Sequence, residues 1–97
     1  VMAAATPTSD GMTVVLAEMY FAPDLIAIPA NTDVRILLEN RGALLHNFQV
    51  RNTDISIDVE PGDSAEAVLN LPPGRYRVIC NVPGHRLAGM VGSIVVE

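Results

Sequence analysis

Arg75-Tyr76-Arg77-Val78-Ile79-Cys80 alternates with the period of a β-strand. Tyr76, Val78 and Cys80 fall on one side and both arginines on the other, so the strand has a core face and a water face. The chain continues through Asn81-Val82-Pro83-Gly84-His85-Arg86-Leu87-Ala88-Gly89-Met90 and returns to strand at Gly92–Glu97, with Ile94 and Val96 inward. A strand, a turn-bearing loop and a strand therefore close the chain.

The same period recurs upstream. Asp33–Glu39 places Val34, Ile36 and Leu38 on one face, and Ala65–Leu71 places Ala67, Leu69 and Leu71 inward. In His46–Arg51, His46, Phe48 and Val50 share the core face, while Asn47, Gln49 and Arg51 face water. Thr13–Met19 and Leu25–Ile28 are less regular but rich enough in β-branched residues to count as strands. Ile55–Val59 reads as a short strand or as part of a crossover. Pro23-Asp24, Pro29-Ala30-Asn31, Asn40-Arg41-Gly42, Pro61-Gly62-Asp63, Pro72-Pro73-Gly74 and Pro83-Gly84 separate these runs as turns. Seven or eight short strands in 97 residues predict an all-β domain, an antiparallel sandwich or small barrel.

Composition narrows the function. Ninety-seven residues, 49% hydrophobic and 18% charged, make one globular domain spanning 1–97. No run approaches the roughly 20 apolar residues of a membrane helix. Residues 1–10, small and lacking the basic start and apolar run of a secretion signal, read as a linker or disordered tail. Eleven acids against six bases, all arginine, give a net charge of −5. That balance lacks the basic stripe that neutralises phosphates, so nucleic acid is not an expected partner. The single cysteine excludes an internal disulfide, a four-cysteine zinc site and a Cys-x-x-Cys redox pair.

The chemistry concentrates in two places, His46 at a strand start and Cys80–Met90 after a strand end. Taken singly, His46 reads as a hydrogen-bonded core residue, Cys80 as a small buried hydrophobe and Met90 as packing. Together they read differently, because the only cysteine and both histidines fall where one site can gather them. Periodicity turns His46 and Cys80 to the core, and the Pro83-Gly84 turn can bring His85 back over the sulfur. Gly89 allows a tight approach before Met90. Two imidazoles, a thiolate and a distant thioether form the donor set of a blue-copper electron-transfer centre.

Cys80-x4-His85-x4-Met90, with Tyr76-x3-Cys80 before it and His46-Asn47-Phe48 upstream, resembles the cupredoxins, the type 1 blue copper proteins. The ligand loop is similar to those of azurin, auracyanin and rusticyanin; Asn40–Glu97 carries the likeness, and Asp10–Glu39 fits as generic strands. The resemblance implies a Greek-key β-sandwich with one copper ion near one end, shuttling single electrons, and no enzymatic activity. It implies His46, Cys80 and His85 as equatorial ligands and Met90 as the axial one. Asn47 would tie the two ligand-bearing loops by side-chain hydrogen bonds, and Pro83, lacking an N–H, would limit hydrogen bonding to the sulfur.

The edge of His85 would reach the surface inside a rim of Ala43, Leu44, Pro83, Leu87 and Ala88, with Arg86 selecting a partner that carries acidic groups. Partners would be redox proteins such as a cytochrome, an oxidase or a reductase. The protein would be a monomer, exported to the periplasm or the outer face of a membrane, either free or anchored there through an N-terminal segment. Asp54, Asp58, Glu60, Asp63 and Glu66, five of the eleven acids, form either a docking face or an ordinary solvated one. Two alternatives use the same ligands: an electron-accepting domain of a larger copper enzyme, and a copper carrier or storage module.

Overall fold

A computed structural model describes residues 4–97. Among them all regular structure longer than an isolated bridge is strand: β1 (Met12–Ala17), β2 (Tyr20–Ala22), β3 (Leu25–Ile28), β4 (Val34–Asn40), β5 (His46–Val50), β6 (Ser56–Val59), β7 (Ser64–Leu69), β8 (Gly74–Ile79) and β9 (Val91–Val96). They form two sheets, β2-β1-β4-β7 and β3-β9-β8-β5-β6, which face each other as a sandwich. Nine strands replace the expected seven or eight for two reasons. The run Thr13–Met19 stops at Ala17, and Glu18-Met19 turns the chain so that Tyr20–Ala22 pairs back on β1. Three residues are too few for alternation to announce a strand. The undecided segment Ile55–Val59 supplies β6, antiparallel to β5.

The sheets are not wholly antiparallel. β1 pairs with β4 and β3 with β9 in parallel. Parallel neighbours require a long crossover connection, and passages of the chain through the opposite sheet provide it. The stretch expected as a linker is also tied down in part. Ala5 donates to the Leu25 carbonyl and accepts from Ala27, at 3.0 and 2.9 Å, and so satisfies the open edge of β3. Residues 1–3 of that stretch lie outside the described residues.

Alternation and register agree inside the sandwich. Val34, Ile36 and Leu38 of β4 face Leu69, Ala67 and Ala65 of β7, pairing inward positions with inward positions. Leu16, Ile36, Leu38, Val50, Leu69 and Ile94 are completely buried. Each such side chain contributes about 1.5–3 kcal/mol over its exposed state. Phe21 and Phe48 meet edge to face across the core, ring centres 5.9 Å apart.

Asn40, read from sequence as a turn residue, is a buried hub. Its side-chain amide donates to the carbonyls of Leu44 and Val59, both at 2.8 Å, and its oxygen accepts from Gly42 N at 2.9 Å. The loop between β4 and β5 is thereby fastened to β6. Asn40→Ala removes three hydrogen bonds to backbone groups, and a loss of about 2–3 kcal/mol in urea unfolding is expected. A loss below about 0.5 kcal/mol would mean that water replaces those bonds.

On the outer face, Arg35 and Glu66 bridge β4 and β7 at 2.7 Å. The guanidinium hydrogen bond, with its charge, holds the Glu66 carboxyl below the usual carboxylate range. A lowered folded value means that the stabilisation is present above the ordinary carboxylate value and is lost as pH falls through the lowered one. Glu66→Gln should therefore be slightly less stable than the native chain at neutral pH. The gap should close in acid and also in high salt, both followed by thermal unfolding.

Candidate metal centre

β5 and β8 are antiparallel neighbours, so the start of one lies at the end of the other. His46 is the first residue of β5, and Cys80 directly follows the last residue of β8. Inward alternation turns both side chains into the sandwich, where each is completely buried. The 80–90 loop supplies His85 and Met90, also buried. Its two ends are joined by a hydrogen bond from Cys80 N to Met90 O at 3.3 Å. Inside the loop His85 N donates to Val82 O, and Met90 N and Ala88 N both donate to His85 O. The backbone on both sides of the His85 ring is thus bonded within the loop.

Three donor atoms converge. The Cys80 Sγ lies 3.4 Å from His85 Nδ1 and 3.9 Å from His46 Nδ1. One donor atom from each of His46, Cys80 and His85 lies within 4.8 Å of the other two. Two nitrogens and a sulfur sharing one metal ion at typical bond lengths would lie about 3.5–3.8 Å apart. The two sulfur–nitrogen distances bracket that spacing and the three donors lie within 4.8 Å, so small side-chain shifts would close them on one ion, and a soft sulfur with imidazoles suits copper or zinc over hard cations. Burial holds the His46 imidazole below its usual pKa; the nearby Glu18 carboxylate opposes the shift and His85 adds to it. The net effect favours the neutral ring, the form that can offer a lone pair to a metal.

Several expected details are corrected. Alternation along β5 puts Asn47 on the water face, yet it is buried. Its backbone N–H donates to the Cys80 sulfur at 3.2 Å, which does link the two ligand-bearing segments. Its side chain reaches the other way, donating to Ser56 Oγ at 3.1 Å and Asp58 Oδ1 at 2.8 Å on β6. The side chain therefore ties β5 to β6, because a side chain on that face of β5 points at the edge strand and not at the loop. Gly89 makes no close approach, since nothing lies within 4 Å of a Cβ built there. Its role is conformational: φ is +102°, and Gly84 likewise sits at +86°, in the region that side chains disfavour.

Ala43, Leu44, Pro83, Arg86, Leu87 and Ala88 are all exposed, as expected of a rim. Leu87 is 87% exposed and Leu44 45%, unusual for leucine, and His85 shows 6% of its surface. The acidic stretch is exposed as well, but two of its members are engaged: Glu66 pairs with Arg35, and Asp58 accepts from Asn47.

Glu18 was missed altogether. It follows β1 in the turn to β2, in the opposite sheet from His46. Its Oε1 accepts from Ala43 N at 2.8 Å and Leu44 N at 2.7 Å, and lies 3.5 Å from His46 Nε2. At that length, and with Nε2 without a hydrogen-bond partner among the described residues, the histidine contact is electrostatic. Partial burial raises the Glu18 carboxyl, but hydrogen bonds from its own backbone and from Ala43 and Leu44, with His46 nearby, outweigh it and hold the group below its usual range. An acid beside a turn carries no local signal of such a role; only the tertiary fold brings it to the site.

Known proteins share this architecture. The chain is 28% identical to the copper-resistant cuproprotein CopI of Pseudomonas aeruginosa, over 98% of this chain and 80% of that protein. It is 31% identical to cytochrome c oxidase subunit 2 of Thermus thermophilus over 79% of its own length, spanning 58% of that subunit. Auracyanin from Roseiflexus castenholzii superposes with a TM-score of 0.81 at 17% identity, covering 92% of this chain and 98% of that one, which is a likeness of fold. A family model described as a cupredoxin-like domain matches residues 2–96. With nearly the whole chain matched, and with both histidines and the cysteine gathered at one end of its sandwich, the chain belongs to the cupredoxin-like family.

Proposed function

We propose that the protein is a type 1 copper protein that carries single electrons between redox partners, and not an enzyme. One observation carries the reading: two imidazole Nδ1 atoms face one thiol sulfur at 3.4 and 3.9 Å, at a buried site where two strand ends and a loop meet. His46, Cys80 and His85 would hold the ion, and the buried thioether of Met90 would be a weaker donor to it. Copper bound there supplies a one-electron couple. The chain's own part is to keep the donors still. Copper(I) and copper(II) favour different geometries, so a site that cannot relax lowers the reorganisation that accompanies each electron. The Cys80–Met90 backbone bond, the Asn47 N–H to sulfur and the strand pairing all serve that end. Pro83 offers no N–H, and among the described residues the sulfur accepts a single backbone hydrogen bond, from Asn47. Few such bonds favour a higher reduction potential.

Electrons would pass at the edge of His85, the one member of the donor trio with residual exposure. The apolar rim of Leu44, Leu87 and Ala88 suits brief docking, and Arg86 would meet acidic groups on the partner. By likeness to its relatives the protein would be exported, working in the periplasm or on an outer membrane face; no helix among the described residues is long and apolar enough to cross a membrane. The likeness to an oxidase subunit supports a second reading, an electron-accepting domain of a larger copper enzyme. The likeness to a copper-resistance protein supports a third, a copper carrier.

Adding copper(II) to the metal-free protein should produce an intense blue absorption at one ion per chain. Cys80→Ser should abolish it while leaving the fold intact by circular dichroism, because thiolate-to-copper charge transfer is its source. A colourless native protein would end the reading, and ready loss of copper to a weak chelator would favour the carrier. Leu87→Glu and Arg86→Glu should keep the colour but slow electron exchange with an acidic partner by about tenfold. A rate unchanged in both variants would remove the rim from the account.

A further inference from the structure

Glu18 lies outside the donor set proposed above, yet its carboxylate is tied to the loop that leads into His46. Its Oε1 is held by two backbone N–H groups of the loop before His46, at 2.8 and 2.7 Å. Gly42, in the same loop, has no room for a side chain because a Cβ there would run into the Glu18 carboxylate. The carboxylate therefore fills the space that a residue at 42 would otherwise use. On its other side it faces His46 Nε2 at 3.5 Å. That nitrogen is buried and has no hydrogen-bond partner among the described residues. A buried ring nitrogen without a partner is costly, and Glu18 is the charged group placed to offset the cost.

We infer that Glu18 is a positioning residue of the metal centre: it keeps the His46 ring with Nε2–H toward its carboxylate and Nδ1 toward the Cys80 sulfur, and it places a fixed negative charge behind the ligand. The inference rests on the copper reading for its electronic half and on the fold alone for its orienting half. A metal-bound histidine is held in one tautomer by whatever its second nitrogen meets. Here that group is a carboxylate from the opposite sheet, so the brace spans the sandwich from the end of β1 to the start of β5. Its charge favours copper(II), the more positive state, over copper(I), and so lowers the potential. Glu18 thus counteracts the sparse hydrogen bonding at the sulfur, which acts in the other direction.

Glu18→Gln separates the two roles, because an amide oxygen can still accept from Ala43 and Leu44 and stay beside His46 Nε2 while the charge is gone. In this variant the preference for copper(II) over copper(I) should weaken about tenfold, a rise of about 59 mV for a one-electron couple. Glu18→Ala should show the same rise. It should also lose slow amide exchange at Ala43 and Leu44, and its metal-free His46 should become a mixture of tautomers. Nitrogen-15 NMR of the native metal-free protein should find His46 protonated at Nε2. An Nδ1-protonated native ring, or a Glu18→Ala ring unchanged from native, would overturn the orienting role. A native-like potential in Glu18→Gln would overturn the electrostatic one. If Glu18→Ala does not fold, the native tautomer and the Glu18→Gln potential decide. If no form of the protein turns blue with copper, the copper reading fails and the electrostatic role falls with it, while the tautomer still tests the orienting role.

Discussion

The antiparallel pairing of β5 with β8 is the constraint on which the site depends. It sets the start of one strand beside the end of the other, and it brings the Asn47 N–H to the Cys80 sulfur at 3.2 Å. An imidazole and a thiol 34 residues apart thereby meet without either strand leaving its ladder. The 80–90 loop then needs only to fold back on itself. Its closing bond from Cys80 N to Met90 O and the two positive-φ glycines let it do so in ten steps. Site geometry is in this sense a by-product of sheet geometry, and its rigidity is that of a packed core.

The short loop from Asn40 to Leu44 is fastened by a second layer of contacts. Asn40 holds its interior and ties it to β6, while Glu18 holds its far end from the opposite sheet. The same loop delivers the chain to His46 and displays Ala43 and Leu44 beside it. One segment therefore couples the position of a ligand to the shape of the surface where a partner would dock. The buried histidine meets a carboxylate on one side and a thiol sulfur on the other, which gives the ring a direction as well as a place.

Most of the framework was legible in residue order. Val34, Ile36 and Leu38, or Ala67, Leu69 and Leu71, alternate cleanly because one face of each strand meets core and the other water. Where both faces are covered the signal failed. Asn47 looks like a water-facing residue because it is polar and out of phase with Phe48, yet the edge strand β6 and its Ser56 and Asp58 cover it. Tyr20–Ala22 was too short to read, and the parallel pairs left no local trace because strand direction is set by crossovers and not by side-chain pattern. The acidic stretch looked like a block of free charge until Arg35, 31 residues away, proved to hold one of its members.

What residue order determined by itself is the chemistry: one cysteine, two histidines and a following methionine at strand ends leave few metals and few reactions open. It also determined which faces are apolar, because that depends on a period of two residues along a single strand. The tertiary structure alone decided that a carboxylate from the first strand's turn stands behind the first histidine, and that the Asn47 side chain braces an edge strand while its backbone serves the sulfur. Such pairings join positions tens of residues apart through strand order and register, and neither composition nor periodicity encodes which sheet edge a given turn will face.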